Sequence, residues 1–244
     1  MEKATQIFGL RAIIEAINSG DTIEKVFLQK GLRGDLFKQL EQTARKNRIS
    51  ISYVPVEKLN KLSDKNHQGA IATLSPIAYQ DLETIALQVV ESGKNPLFLL
   101  LDEITDVRNF GAIIRTAECA GVHAIIVGKQ GAAPINGDTV KTSAGAVFKI
   151  PICKVDHIKD AVFMLQSMDI VVVAATEKTD SSIYDIDLKV PAAIIMGSEG
   201  RGINPSILKL VNHKAKLPLL GDIESLNVSV ACGALLYEAV RQRM

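Results

Sequence analysis

The 244 residues contain no apolar run near the roughly 20 residues that a membrane span needs, and the first residues show no basic stretch leading into an apolar one. A membrane protein and a secreted one are both set aside, and the expected location is the cytoplasm. Cysteine is scarce: Cys119, Cys153 and Cys232 are odd in number and far apart, with no CxxC pair and no histidine nearby. That excludes a disulfide scaffold and a zinc ribbon. No metal is expected, and all three read as reduced core residues. The glycine spacing GxGxxG of a dinucleotide fold and the Lys-Ser/Thr of a phosphate loop are missing too, which argues against a small-molecule Rossmann enzyme. An excess of one charge is also lacking, the formal net charge being +1. The average hides an asymmetry. Residues 1–76 hold twelve Lys+Arg against eight Asp+Glu, while residues 97–244 hold fifteen against sixteen. The positive part is N-terminal, a weak pointer to nucleic acid.

What is present is a packed globular chain, 47% hydrophobic. Up to residue 76 helical and strand patterns alternate. Leu10–Asn18 is amphipathic, Lys25–Leu28 is strand-like, Gly34–Asn47 has helical spacing, and Ser50–Val54 and Ala70–Leu74 read as short strands. Residues 1–76 are therefore expected to form a small α/β domain. Residues 77–96 read as a linker, with Pro76 and the Gly93-Lys94-Asn95-Pro96 turn around a helix near Asp81–Val90. From 97 to 244 the pattern becomes continuous apolar runs: Leu97–Leu101, His123–Val127, Ile170–Ala174 and Ala192–Met196. Such runs suit parallel strands buried on both faces, so the larger domain is expected to be an open α/β parallel sheet. Ligands of these sheets bind beyond the carboxyl ends of the strands.

Three polar clusters follow such strands. The first has Asp106, Asn109, Gly111 and Arg115-Thr116-Ala117, with a helix expected to start near Asn109. Taken alone, Asn109 is a helix cap and Arg115 with Glu118 a surface pair. The second, Met196-Gly197-Ser198-Glu199-Gly200-Arg201-Gly202, puts three glycines in six residues, which permits positive φ and close approach of a ligand to backbone amides. The third runs from Leu217-Pro218-Leu219 through Ser225-Leu226-Asn227-Val228-Ser229-Val230-Ala231 into a helix expected over Leu226–Val240. That helix is apolar on almost every side, so several of its faces need cover, from its own domain or a partner subunit. Ser225 and Asn227 at its start read by default as caps.

In this order and at these separations, the three clusters resemble the signature motifs of the SpoU, or TrmH-like, RNA ribose methyltransferases of the SPOUT superfamily. Ile7-Phe8-Gly9-Leu10 with Ala12 and Glu15, and His67-Gln68-Gly69, resemble the start and end of that family's small substrate-binding domain, so the likeness covers nearly the whole chain. Val107 stands where many members carry proline. The resemblance implies a C-terminal deep trefoil knot, an exception to threading rules that no periodicity reveals. It also implies a homodimer with S-adenosylmethionine bound in the knot. Carried over, cofactor contacts fall on Ala174, Ala175, Thr176, Gly197, Glu199, Leu217, Leu219, Ser225, Leu226 and Asn227. Catalytic roles fall on Arg115, Asn109, Glu199, Ser225 and Asn227.

In the family, the position of Arg115 is assigned to activating the ribose 2′-hydroxyl. A guanidinium ionises above about 12 and is a poor base near neutrality, so holding a phosphate and stabilising the developing alkoxide suits it better. The proton then leaves through that phosphate or water. A positively charged small domain, and no basic extension after the last helix, resemble the family members that methylate a guanosine ribose in large-subunit (23S) ribosomal RNA, so the resemblance implies that target. A tRNA guanosine comes next, then a ribosomal RNA site whose methylation confers thiopeptide resistance. The rival from another class is a non-catalytic RNA-binding or ribosome-assembly protein, disfavoured because mere binding does not need Asn109, Arg115 and Glu199 together. His67 with Gln68 is a candidate RNA contact, although a lone histidine is more often structural.

Overall fold

Alternating apolar positions in short strands, set beside amphipathic helices, force a sheet with covered faces. The computed structural model, which describes residues 6–223 and 225–244, builds two such units, dividing between Ala78 and Tyr79.

The smaller unit runs β1 (Gln6–Phe8), α1 (Leu10–Asn18), β2 (Ile23–Gln29), α2 (Asp35–Lys46), β3 (Ile51–Val54), α3 (Val56–Leu62) and β4 (Ala70–Leu74). Its sheet has the order β1-β4-β2-β3, with β2 and β3 parallel and the other pairs antiparallel. α1 and α2 bury Ile13, Ile14, Ile17, Leu40 and Ala44 against Val26, Leu28, Ala70 and Ala72. On the opposite face α3 contributes Leu59 to a second cluster with Val54 and Ile71. Neither β1 nor α3 stands out in the sequence, being only three and seven residues long. His67 is buried and structural in its contacts: Nδ1 accepts from the Gly69 amide at 3.0 Å, which leaves Nε2 to donate to Asn60 Oδ1 at 2.8 Å.

The larger unit opens with α4 (Leu82–Glu91), inside the stretch read as a linker. Its Leu82 and Ala86 enter the core, capped by Asp81. There follow β5 (Leu97–Asp102), α5 (Val107–Cys119), β6 (Ala124–Gly128), α6 (Gly137–Thr142), β7 (Ile152–Val155), α7 (Ile158–Ser167), β8 (Val171–Ala175), β9 (Ala192–Gly197), α8 (Pro205–Leu208), β10 (His213–Ala215) and α9 (Val228–Arg243). All six strands are parallel, in the order β10-β8-β9-β5-β6-β7. The four apolar runs are the central strands, buried as expected. The edges, β7 and β10, are short and carry lysine or histidine, so no continuous apolar run marks them. The chain steps from β5 outward to β6 and β7, then returns to build β8, β9 and β10 on the other side. The β5–β9 boundary is where the order reverses.

Two expectations fail. Cys153 and Cys232 are buried, with thiols pushed up to about 12 by burial, but Cys119 is exposed. It lies one helical turn from Arg115 on the solvent side of α5, and its apolar neighbours belong to the opposite side. α5 itself begins at Val107, with Asp106 as its cap: Asp106 Oδ1 accepts from the Asn109 amide at 2.8 Å. Asn109 is thus the third residue of the helix, and its side chain is free for another task.

Candidate active site

Beyond the carboxyl ends of β8, β9 and β10 lies a cleft of about 590 Å³, within the range that takes a small-molecule ligand. Ala175, Met196, Ala215, Leu217, Leu226 and Leu235 form its apolar wall. Thr176, Glu177, Ser198, Glu199, Lys216, Ser225 and Asn227 supply the polar groups. Lys216 Nζ stands 3.6 Å from Asp180 Oδ1.

The floor depends on one missing side chain. A Cβ on Gly197 would lie 2.1 Å from the Gly202 carbonyl carbon, because the 198–202 loop doubles back over the end of β9. Ser198 and Gly202 bridge, and Gly200 and Gly202 take φ of 89° and 70°. Asp102, at the end of neighbouring β5, anchors the loop's exit by accepting from the Asn204 amide at 2.8 Å. Burial, with Glu103 adjacent, pushes the Asp102 carboxyl above its ordinary range against the pull of that hydrogen bond.

At the mouth of the cleft three distant segments converge. Glu199 Oε1 accepts from Asn109 Nδ2 at 3.2 Å, Asn227 Nδ2 at 3.1 Å and the Val228 amide at 3.3 Å. Asn227 Nδ2 also donates to Asn109 Oδ1 at 3.0 Å. Asn227 Oδ1 accepts from the Ser229 and Val230 amides, so Asn227 is the cap of α9. Capping α5 with Asp106 and α9 with Asn227 therefore orients both asparagines toward one carboxylate.

The structure brings together Asn109, Glu199 and Asn227, with Ser225 lining the same cleft while Asn227 alone caps α9 among the described residues. Of the expected cofactor positions all line the cleft except Ala174, whose methyl points into the core beside Val172 and Ile195 because alternate strand residues face opposite ways. Arg115 is not in this assembly. It lies six residues beyond Asn109 on α5, about 9 Å along the axis and roughly 240° around it. It is exposed and has no hydrogen bond or ion pair among the described residues, so the expected pairing with Glu118 does not form. Asp102 escaped the sequence reading, while Asp106 was named in the first cluster but given no site role; its spacing Asp106-x-x-Asn109 is a capping signal.

Among the described residues no cluster of His, Cys, Asp or Glu could hold a metal ion, and no helix is long and apolar enough to cross a membrane.

The model of the SpoU rRNA methylase family matches residues 96–237, and the model described as RNA 2′-O ribose methyltransferase substrate binding matches residues 6–80. A Bacillus subtilis protein named for the TrmH family of tRNA/rRNA methyltransferases, YacO, is 32% identical over 237 residues, covering 97% of this chain and 95% of its own. The SpoU methyltransferase AviRb from Streptomyces viridochromogenes, solved in complex with its cofactor AdoMet, aligns with a TM-score of 0.62 at 26% identity. That alignment covers 98% of this chain and 90% of AviRb. An AdoMet-bound rRNA methyltransferase from Sinorhizobium meliloti shares the fold, with a TM-score of 0.63 over 98% of this chain and 88% of its own at 24% identity.

Proposed function

From the premise that the chain belongs to the SpoU rRNA methylase family, we propose that it methylates the ribose 2′-hydroxyl of a guanosine in large-subunit ribosomal RNA. It is an RNA methyltransferase that uses S-adenosylmethionine. The observation that carries the reading is the meeting of Asn109, Glu199 and Asn227 at the mouth of the cleft.

The cleft fits the cofactor. An adenosine needs an apolar slot edged by backbone polar groups, and the wall of Leu217, Leu219 and Leu226, with the loop folded over Gly197, is such a slot. Glu177 and Glu199 line the same cleft and would supply negative charge to a bound sulfonium. When bound, S-adenosylmethionine supplies an electrophilic methyl group on sulfur. Transfer forms one oxygen–carbon bond, breaks one sulfur–carbon bond and releases the hydroxyl proton. Asn109, Glu199 and Asn227 hold one another rigid, and that fixed geometry orients the ribose for in-line approach. Arg115, a bidentate cation, holds a phosphate and stabilises the developing alkoxide, with the proton leaving through phosphate or water.

Because Arg115 stays out of its own chain's cleft, the reading includes a homodimer in which the partner's α5 brings its arginine to the site. Exposed Val230 and Tyr237 on α9, and Leu220 and Ile223 before it, suit the contact. The reading also includes the trefoil knot. In its support, β10 adds to the outer edge of the sheet while the chain then returns to pack α9 against α5.

Labelled methyl transfer to ribosomal RNA and tRNA from cells lacking the protein, with ribose-specific mapping, tests the reading. One labelled 2′-oxygen in the large-subunit RNA is expected. Label in tRNA instead keeps the chemistry and overturns the substrate, and no transfer with tight RNA binding retained favours the non-catalytic rival.

A further inference from the structure

Of the exposed cations of the larger unit that have no partner among the described residues, four sit on α5, α6 and the turn after α6: Arg108, Arg115, Lys141 and Lys149, of which only Arg115 has a part in the proposed chemistry. Arg108 and Arg115 are seven residues apart on α5, so they share one face at a separation of about 10 Å along the axis. Gly111 lies between them on that face. A Cβ there would stand 1.8 Å from Thr142 Oγ1, so the glycine is what lets α6 cross α5 between the two arginines.

Past α6, Ala144 and Gly145 take φ of 50° and 81° and turn the chain into a tight 3-10 turn, Ala146–Phe148, packed on α5. The turn buries Ala146 and Val147 but leaves Phe148 59% exposed, with Lys149 exposed beside it and Lys141 exposed on α6. A single exposed apolar side chain is ordinary. A phenyl ring on a turn braced by two left-handed residues, on packed elements that also carry four unpaired cations, is a more specific arrangement. The acidic groups on these elements are Asp106, which caps α5, Glu118 near its far end, and Asp138 in the first turn of α6. These elements thus carry four cations against three acids, a net of +1, where residues 97–244 as a whole carry −1.

We propose that this strip is a second RNA contact, separate from the cofactor cleft: Arg108, Lys141 and Lys149 hold backbone phosphates, and Phe148 stacks on an unpaired base of the substrate RNA. Guanidinium and ammonium groups neutralise phosphates, and an aromatic face accepts any unstacked base, which is how proteins grip single-stranded parts of folded RNA. The inference rests on the reading of RNA as the substrate.

The test uses the full chain, an unmodified large-subunit ribosomal RNA transcript and a mixed-sequence single-stranded RNA oligonucleotide with a fluorophore. Phe148→Ala is expected to weaken oligonucleotide binding and raise the KM for the transcript about tenfold, whereas Phe148→Tyr keeps both near wild type. The double variant Arg108→Ala, Lys149→Ala is expected to flatten the slope of log affinity against log salt by about 1.4, for two lost phosphate contacts on a single strand. S-Adenosylmethionine affinity, read by calorimetry, stays at the wild-type value throughout and reports an intact cleft. Wild-type RNA binding in these variants overturns the proposal, as does equal weakening by alanine and tyrosine at 148. So does a change of oligomeric state in light scattering with RNA binding retained, because the strip then covers a second copy. A wild-type protein that neither binds nor methylates either RNA overturns the proposed function itself, and this inference with it.

Discussion

Asn227 spends both ends of its amide. Its oxygen caps α9 and its nitrogen donates to Asn109 Oδ1 and Glu199 Oε1, so the helix start and the polar cluster are set by one side chain. The two tasks separate by substitution. Asn227→Asp keeps an oxygen for the cap but turns a second carboxylate oxygen toward Glu199. It should leave the melting temperature near wild type while methyl transfer falls a hundredfold or so, the cost of a charge-assisted hydrogen bond replaced by repulsion. Asn227→Ala removes both and should also cost about 1 kcal/mol of stability, the worth of a lost cap. Equal melting losses in the two variants, by calorimetry, would show that the cap is not what the oxygen provides. Asn109, Glu199 and Asn227 were legible as site residues only through the family resemblance, and their mutual hydrogen bonds were not legible at all. Asn109 was read as a cap because the helix start was placed at it rather than at Asp106. Three residues of displacement decide whether an asparagine serves its own helix or a neighbour.

At the scale of elements, α9 joins the two ends of the sheet. Its first residue follows Asn227 at the carboxyl end of the strands. About 24 Å on, at 1.5 Å per residue, Arg243 reaches the opposite end. There the guanidinium donates to Leu188 O at 2.7 Å, Asn95 O at 3.1 Å, Pro96 O at 2.9 Å and Val190 O at 2.8 Å, just before β5 and β9 begin. Partial burial pulls the Arg243 pKa below its ordinary value. Lysine has neither the fork nor the reach to satisfy four carbonyls. Arg243→Ala and Arg243→Lys should each cost about 3 kcal/mol, several charged hydrogen bonds less their hydration. The melting temperature should then drop by roughly 6–12 °C for a unit of this size, with faster amide exchange along α9. Loss in alanine but not in lysine would mean that charge alone suffices. Nothing in the local pattern of Gln242-Arg243 foretells this, since a basic last turn reads as an ordinary response to the helix dipole. The central strands were legible because burial on both faces leaves a continuous apolar signature. Edge strands and the helix in the presumed linker were not, because pairing on one side leaves lysines and histidines in place.

On the scale of the molecule, the proposed homodimer rests on what one chain leaves unfinished. The cleft has its carboxylate and asparagines but no arginine, and Arg115 stands on α5 without a partner. α9 meanwhile exposes Val230 and Tyr237, 57% and 53% accessible, on one side. A two-fold axis that covers this face would let each α5 serve the other copy's site. Arg115→Ala and Asn227→Ala should each abolish methyl transfer alone. If Arg115 acts across the interface, a mixed dimer of the two variants contains one intact site, because the Asn227 of one chain meets the Arg115 of the other. Random re-association at equal amounts should then restore about a quarter of wild-type activity, since half of the dimers are mixed and each has one working site. If Arg115 acts within its own chain, every site in the mixture has lost one residue and activity stays at background. Tyr237→Glu, which places a charge in the face that a second copy would cover, should give a monomer in light scattering that binds no second copy and transfers no methyl group. A fully active Tyr237→Glu monomer would return the arginine to its own cleft and require α5 to move to bring it there.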